Sequence, residues 1–215
     1  MLEPILPPPL FTIILSHLPI FFSLTYNKIK KRSSLIMEVM LRIATDYTPP
    51  LSLFVTAKVG GISITVRDKL RSGNPPFIIL PCERLKVEGR DEILRYFCCK
   101  GSVRNLYDRD DKYETEELFQ WLQDAHARFS SSYYEGACTH FDRRLMQRTF
   151  LVGDCLSLAD IVLWSYLAEI GKKWERLMES KKYQNLAEWY NMLSRQYDLD
   201  EERATYLATY SLKED

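Results

Sequence analysis

Residues 149–165 read TFLVGDCLSLADIVLWS, and the second half of this string sets where a helix begins. Ser157 and Asp160 stand three positions apart, just ahead of an apolar run. That spacing predicts a capping box. The Ser157 hydroxyl accepts from the backbone N–H of Asp160, and the Asp160 carboxylate accepts from the N–H of Ser157. Leu156 precedes the cap and Ile161 falls at the fourth helical position, so the two are placed for a hydrophobic staple. Ala159, Val162, Leu163 and Ser165 then make the helix apolar nearly all round, as a helix buried on every side requires. The cap accounts for Asp160 in full, which makes it a structural acid and not a catalytic one.

Working outward, the sequence stays helical on both sides. Leu118, Trp121, Leu122, Ala125 and Phe129 form one stripe at helical spacing, and Tyr134, Ala137, Cys138, Phe141 and Leu145 form a second. Glu114, Glu116 and Glu117 are expected in the first turn of the former, against the positive end of the helix dipole. Downstream, Lys172 to Arg176 reads as a short helix. Tyr183, Leu186, Trp189, Tyr190, Leu193 and Tyr197 make another stripe. Asp200-Glu201-Glu202 favours a last helix within Leu199 to Leu212.

Before Glu114 the periodicity changes. Residues 39–45 are rich in Val, Leu and Ile and predict a strand. Pro49-Pro50 opens a helix whose apolar face is Leu51, Phe54, Val55 and Val59, and Gly60-Gly61 ends it. Ile62 to Val66 alternates as a second strand. Gly73 to Pro76 is a loop, Phe77 to Leu80 a third strand and Arg84 to Val87 a fourth. Ile93, Leu94, Tyr96 and Phe97 lie on a short helix that closes at Gly101. The order β-α-β, then β-β-α, is that of a reduced thioredoxin-like half. The expected class is α+β, with a reduced thioredoxin-like α/β half (residues 37–102) followed by an all-α helical bundle (residues 113–212).

Composition sets outer limits. Of 215 residues 46% are apolar, which argues for a folded core and against disorder. Lys and Arg balance Asp and Glu at 29 each, so no whole-molecule field draws the chain to nucleic acid. Within that balance, Lys28, Lys30, Lys31 and Arg32 against Glu3 put residues 1–36 at +3, leaving the remainder at −3. A slightly acidic body is a poor general RNA binder. The five cysteines (82, 98, 99, 138, 155) follow no disulfide or metal spacing, and read as small buried hydrophobes in a reducing, cytoplasmic setting. Three histidines without a carboxylate at ligand spacing make metal binding improbable, so no metal and no cofactor is expected.

Residues 5–26 are apolar and long enough to span a bilayer. Pro7, Pro8, Pro9, Pro19 and His17 interrupt the run, and prolines remove hydrogen bonds that a bilayer cannot replace. The basic cluster follows the apolar run, the reverse of a secretory signal. Residues 1–36 are therefore expected to be an extension outside the fold and not a membrane anchor, and the fold to start at Met37.

The longer string around the capping box, aromatic-Leu-Val-Gly-x-x-Leu-Ser-Leu-Ala-Asp-Ile, resembles the motif that opens the sixth helix of the glutathione-transferase superfamily, where its role is structural. With residues 37–66 (MEVMLRIATDYTPPLSLFVTAKVGGISITV), 148–175 and 181–193 (KKYQNLAEWYNML), the chain from 37 to about 210 resembles the appended N-terminal domain of plant-type cytosolic glutamyl-tRNA synthetases. The resemblance implies a glutathione-transferase-like fold and a non-catalytic appendage that docks to other glutathione-transferase-like domains of the translation machinery. In that family a Rossmann-type catalytic body follows. The 215 residues contain no His-x-Gly-His element and no Lys-Met-Ser-Lys-Ser-like loop, so the expectation is the appendage alone, without ligase activity of its own.

The superfamily also suggests an alternative, glutathione transfer to small electrophiles. A thiol activator after the first strand would be Tyr47, with Thr48 and Ser52 nearby. The acidic-Ser pair that holds the tripeptide corresponds here to Val87-Glu88-Gly89-Arg90, without the serine, and Pro81 is displaced from the expected Val-Pro. For docking, the candidate residues are Trp174, Arg176 and Lys173, since Trp and Arg dominate interface energetics; Trp174 could equally pack inward. Lys172, Lys173, Lys181 and Lys182 could form a local patch for weak tRNA contact.

Overall fold

The computed structural model describes residues 37–44, 48–70, 75–80, 85–107, 110–130 and 134–210. The predictions for residues 1–36, and for Tyr47 and Pro81, fall outside them. Residues 37–215 form one compact unit.

The described residues contain four strands and eight helices: β1 (Met37–Ala44), α1 (Leu51–Gly60), β2 (Ile62–Leu70), β3 (Phe77–Leu80), β4 (Leu85–Glu88), α2 (Arg90–Lys100), α3 (Lys112–Phe129), α4 (Tyr134–Leu145), α5 (Leu158–Glu169), α6 (Lys172–Glu179), α7 (Gln184–Tyr197) and α8 (Asp200–Tyr210). The sheet order is β2-β1-β3-β4. β1 and β2 run parallel with Leu41 opposite Val66, and the connection between them passes through α1, as a parallel pair requires. β3 and β4 are antiparallel to their neighbours. Val39, Leu41 and Ile43 alternate into the core from the central strand.

The strand at 62–66 continues to Leu70, because parallel pairing along β1 carries it past the alternating segment. Helix α1 is more than one-faced. Leu51, Ser52, Leu53, Val55, Thr56 and Ala57 are all buried, while Phe54 and Val59 of the predicted stripe are only partly so. The reason is position: α1 lies between β2, α2 and α5, with α8 against it. Its C-terminal turn meets that of α2 where two glycines touch. A Cβ on Gly101 would lie 2.8 Å from the Gly60 Cα, and the Ser102 N–H donates to the Gly60 carbonyl at 2.8 Å.

In the helical half α5 is the axis, packing on α1 and α3 and touching α8. Ten of its twelve residues are buried. Helix α3 begins at Lys112 behind an Asp111 N-cap whose carboxylate accepts from the Tyr113 N–H at 2.8 Å. Only Glu114 of the three predicted glutamates therefore lies in the first turn; Glu117, one turn on, pairs with Arg144 of α4 instead.

Candidate functional site

The capping box at the head of α5 has both of its reciprocal bonds. Asp160 N–H donates to Ser157 Oγ at 3.4 Å and Ser157 N–H donates to Asp160 Oδ2 at 3.0 Å. Oδ1 accepts from the Leu151 N–H at 2.9 Å, tying down the strand of loop that leads into the helix. Leu156 and Ile161 are both buried. Asp160 has no exposed surface, and burial pushes its carboxyl up to about 6 despite these donors.

A second polar cluster lies where the two halves meet. Glu169, the last residue of α5, accepts from the Leu51 N–H at 2.5 Å through Oε1. Its carboxylate thus sits on the positive end of α1, the place a helix offers to an anion. Burial pushes Glu169 up to about 7, opposed by that N–H, by Arg90 and by Tyr206. The Tyr206 hydroxyl, from α8, donates to the Pro49 carbonyl at 3.0 Å.

One turn away, Arg90 at the start of α2 bonds Asp91 through Nε at 2.8 Å and lies 3.4 Å from the Tyr166 hydroxyl through Nη1. Tyr166 in turn is 2.6 Å from His126 Nδ1 and stacks on Phe129 at 5.2 Å. Burial, then Arg90, hold the His126 imidazole below its ordinary value, opposed by Asp91, which favours its neutral form. Helix α2 opens on Gly89, which has a φ of 92° and makes no side-chain cap, and Asp91 and Glu92 fill its first turn. Both helix N-termini facing this seam on the sheet side are thereby supplied with carboxylates of the chain itself. His126 and His140 are each half-buried and bonded, His140 through Nε2 to Asp124 at 2.9 Å.

Of the residues expected to dock partners, Trp174 is fully buried and stands edge-on to Tyr190 at 5.4 Å. It anchors α6 from beneath and presents nothing outward, a correction to its reading as an interface anchor. Helix α6 turns off α5 at Gly171, whose φ of 54° favours glycine. On its outer face Lys172, Lys173, Arg176 and Glu179 are exposed. Lys173 lies 5.6 Å from the Tyr134 ring and Glu175 pairs with Arg203 at 2.7 Å. Arg176 has no ion-pair partner among the described residues. Of the predicted lysine patch, Lys182 pairs with Glu135 at 2.6 Å, which offsets one of its four charges. Cys98 and Cys138 are buried and Cys99 and Cys155 exposed; burial pushes the Cys138 thiol up to about 12. Among the described residues no group of three or more His, Cys, Asp or Glu is placed to hold a metal, and no helix is long and apolar enough to cross a membrane.

Residues 102–201 match the family model of the glutathione S-transferase C-terminal domain. The fold is that of solved glutathione transferases. A delta-class enzyme from Nilaparvata lugens aligns with a TM-score of 0.62 at 18% identity, over 78% of this chain and 94% of its own. A chain from crystal structures of two binary sub-complexes of the yeast aminoacyl-tRNA synthetase complex aligns with a TM-score of 0.57 at 18% identity, over 81% and 96%. The class defined by fold is glutathione-transferase-like.

In sequence the relation is narrower. The chain is 32% identical over 162 residues, 74% of its length, to the cytoplasmic glutamate–tRNA ligase of Arabidopsis thaliana. It is 26% identical over 151 residues, 69% of its length, to the bifunctional glutamate/proline–tRNA ligase of Cricetulus griseus. It is homologous to the N-terminal glutathione-transferase-like region of cytoplasmic glutamate–tRNA ligase. The chain spans 22% of the length of the first relative and 10% of the second.

Proposed function

We propose that this chain acts as a cytoplasmic protein–protein docking module of the translation machinery, engaging another glutathione-transferase-like domain through the outer face of α6. The observation that carries this reading is Arg176, exposed and without an ion-pair partner among the described residues, on a helix fixed from below by buried Trp174. A helix already rigid requires no backbone ordering on binding, which favours Arg176 as an interface anchor. The homology to a glutamate–tRNA ligase and the likeness to a chain of the yeast synthetase complex supply the kind of partner. The self-occupied helix ends at the seam weigh against the second reading, glutathione transfer. An incoming glutathione carboxylate at α1 or α2 would have to displace Glu169 or stand beside Asp91 and Glu92.

The test is calorimetric titration of the full chain with the glutathione-transferase-like domain of another synthetase-complex protein. Saturable binding by the native chain, weakened about tenfold or more by Arg176→Glu, is expected. Unchanged affinity in that variant would remove α6 from the interface. Titration with glutathione up to millimolar concentration is expected to give no heat, and a saturable signal would restore the enzyme reading.

A further inference from the structure

We propose that the groove between α3 and α4 is a second docking surface, and that its occupant is an acidic peptide segment of a partner protein. The groove holds a volume of about 470 Å³ and is lined in part by Trp121, Arg128, His140, Arg143 and Arg144. Gly136 also lines it, so no side chain from that position narrows it.

The groove already shows which chemistry its cations accept. Asp124 of α3 bonds His140 at 2.9 Å and lies 3.7 Å from Arg128 Nε. Glu117, about two turns earlier on α3, pairs with Arg144 and lies 4.0 Å from Arg148. Glu117 and the Leu151 carbonyl fix the Arg144 guanidinium in advance, and guanidinium forks match carboxylates in pairs of bonds. Three arginines, Arg128, Arg144 and Arg148, share two carboxylates and Arg143 adds a fourth cation, so positive charge is in excess. Arg143 is the outstanding member: it is exposed and has no carboxylate partner among the described residues.

Three observations favour a peptide carboxylate over the other possible occupants. A single-stranded nucleic acid needs an aromatic face on which to stack its bases. The Trp121 ring is taken on its sides by Arg144 at 4.8 Å, His140 at 5.3 Å and Phe141 at 5.7 Å. The body of the chain carries −3, which opposes the approach of a long polyanion but matters little to a short segment within screening distance of the arginines. A second copy of this chain, docked through the same face, would set arginine against arginine. This surface uses none of the α6 side chains and stands or falls separately from the docking reading above.

The experiment is fluorescence anisotropy of the full chain with a labelled hexaglutamate peptide, with a hexalysine peptide as control. Saturable binding of hexaglutamate that weakens as salt rises is expected, with about a tenfold loss in Arg143→Glu and no change in Arg176→Glu. Arg143 is exposed, so its replacement leaves the fold intact, which circular dichroism checks. The proposal is overturned if hexaglutamate fails to bind, or if Arg143→Glu binds it as the native chain does. Displacement of the peptide by a single-stranded RNA of equal charge at lower concentration would assign the groove to nucleic acid. A concentration-dependent dimer in sedimentation, lost in Arg143→Glu, would assign it to a second copy.

Discussion

Asp160 is the residue on which the helical half turns. It satisfies two buried backbone donors, Leu151 N–H and Ser157 N–H, from one side chain that has no contact with water. Asp160→Ala orphans both and leaves only the Ser157 half of the capping box, and a loss of about 2–4 kcal/mol in unfolding free energy is expected in urea titration. Asp160→Asn keeps an acceptor and is expected to lose less. This residue was fully legible in the string that contains it, because a capping box is a local device written within four positions. Glu169 lay at the opposite extreme. Its partner, Leu51, is 118 residues away, and nothing near Glu169 in sequence marks it as the N-terminal partner of another helix.

Among elements, those whose apolar face points one way were legible and those packed on several sides were less so. The stripes on α3, α4 and α7 match their buried residues closely: Leu118, Leu122, Ala125 and Phe129, for example, are all buried on α3. For α1 a single stripe described only part of the buried surface, since a helix sandwiched between sheet and bundle has no solvent face to reveal a period. For α6 the sequence showed an amphipathic character but not its direction. The sequence left Trp174 open to either direction; the structure buries it beside Tyr190, where the gain of its apolar area outweighs an indole N–H left without a hydrogen-bond partner. Where α1 and α2 converge, Gly60 and Gly101 let their final turns touch. Gly101 has an ordinary φ of −67°, so Gly101→Ala tests crowding alone. A Cβ 2.8 Å from both the Gly60 Cα and the Phe97 carbonyl oxygen forces the turns apart, and a loss of about 1–3 kcal/mol is expected from the denaturation midpoint.

For the molecule as a whole, the seam between the halves makes stability depend on pH in an unusual direction. Glu169 is raised from 4.5 to about 7 and Asp160 from 3.8 to about 6, both chiefly by burial. The native state then holds these protons more tightly than the unfolded chain does. Their contribution is complete below the unfolded values and is lost as pH rises through the folded ones. Thermal unfolding of the native chain is therefore expected to show falling stability between about pH 4.5 and 7. Glu169→Gln, which keeps an acceptor for the Leu51 N–H but cannot ionise, is expected to flatten that slope. An unchanged slope would place the proton elsewhere. The overall architecture followed from the order of strand and helix periods, whereas the charge relations across the seam required the tertiary structure, because they join residues from opposite ends of the chain.

Helix α8 is the last described element, and it lies against the first helix. Phe54 of α1 meets Tyr206 and Tyr210 with ring centroids 6.0 Å away in each case, and Tyr206 reaches the Pro49 carbonyl. During synthesis the sheet half leaves the ribosome well before its cover exists. For that interval α1 carries an unpaired aromatic face and a helix end without Glu169. A nascent chain halted before α8 would therefore expose more of Phe54 and of the α1 N-terminus to chaperones and proteases than the complete fold does.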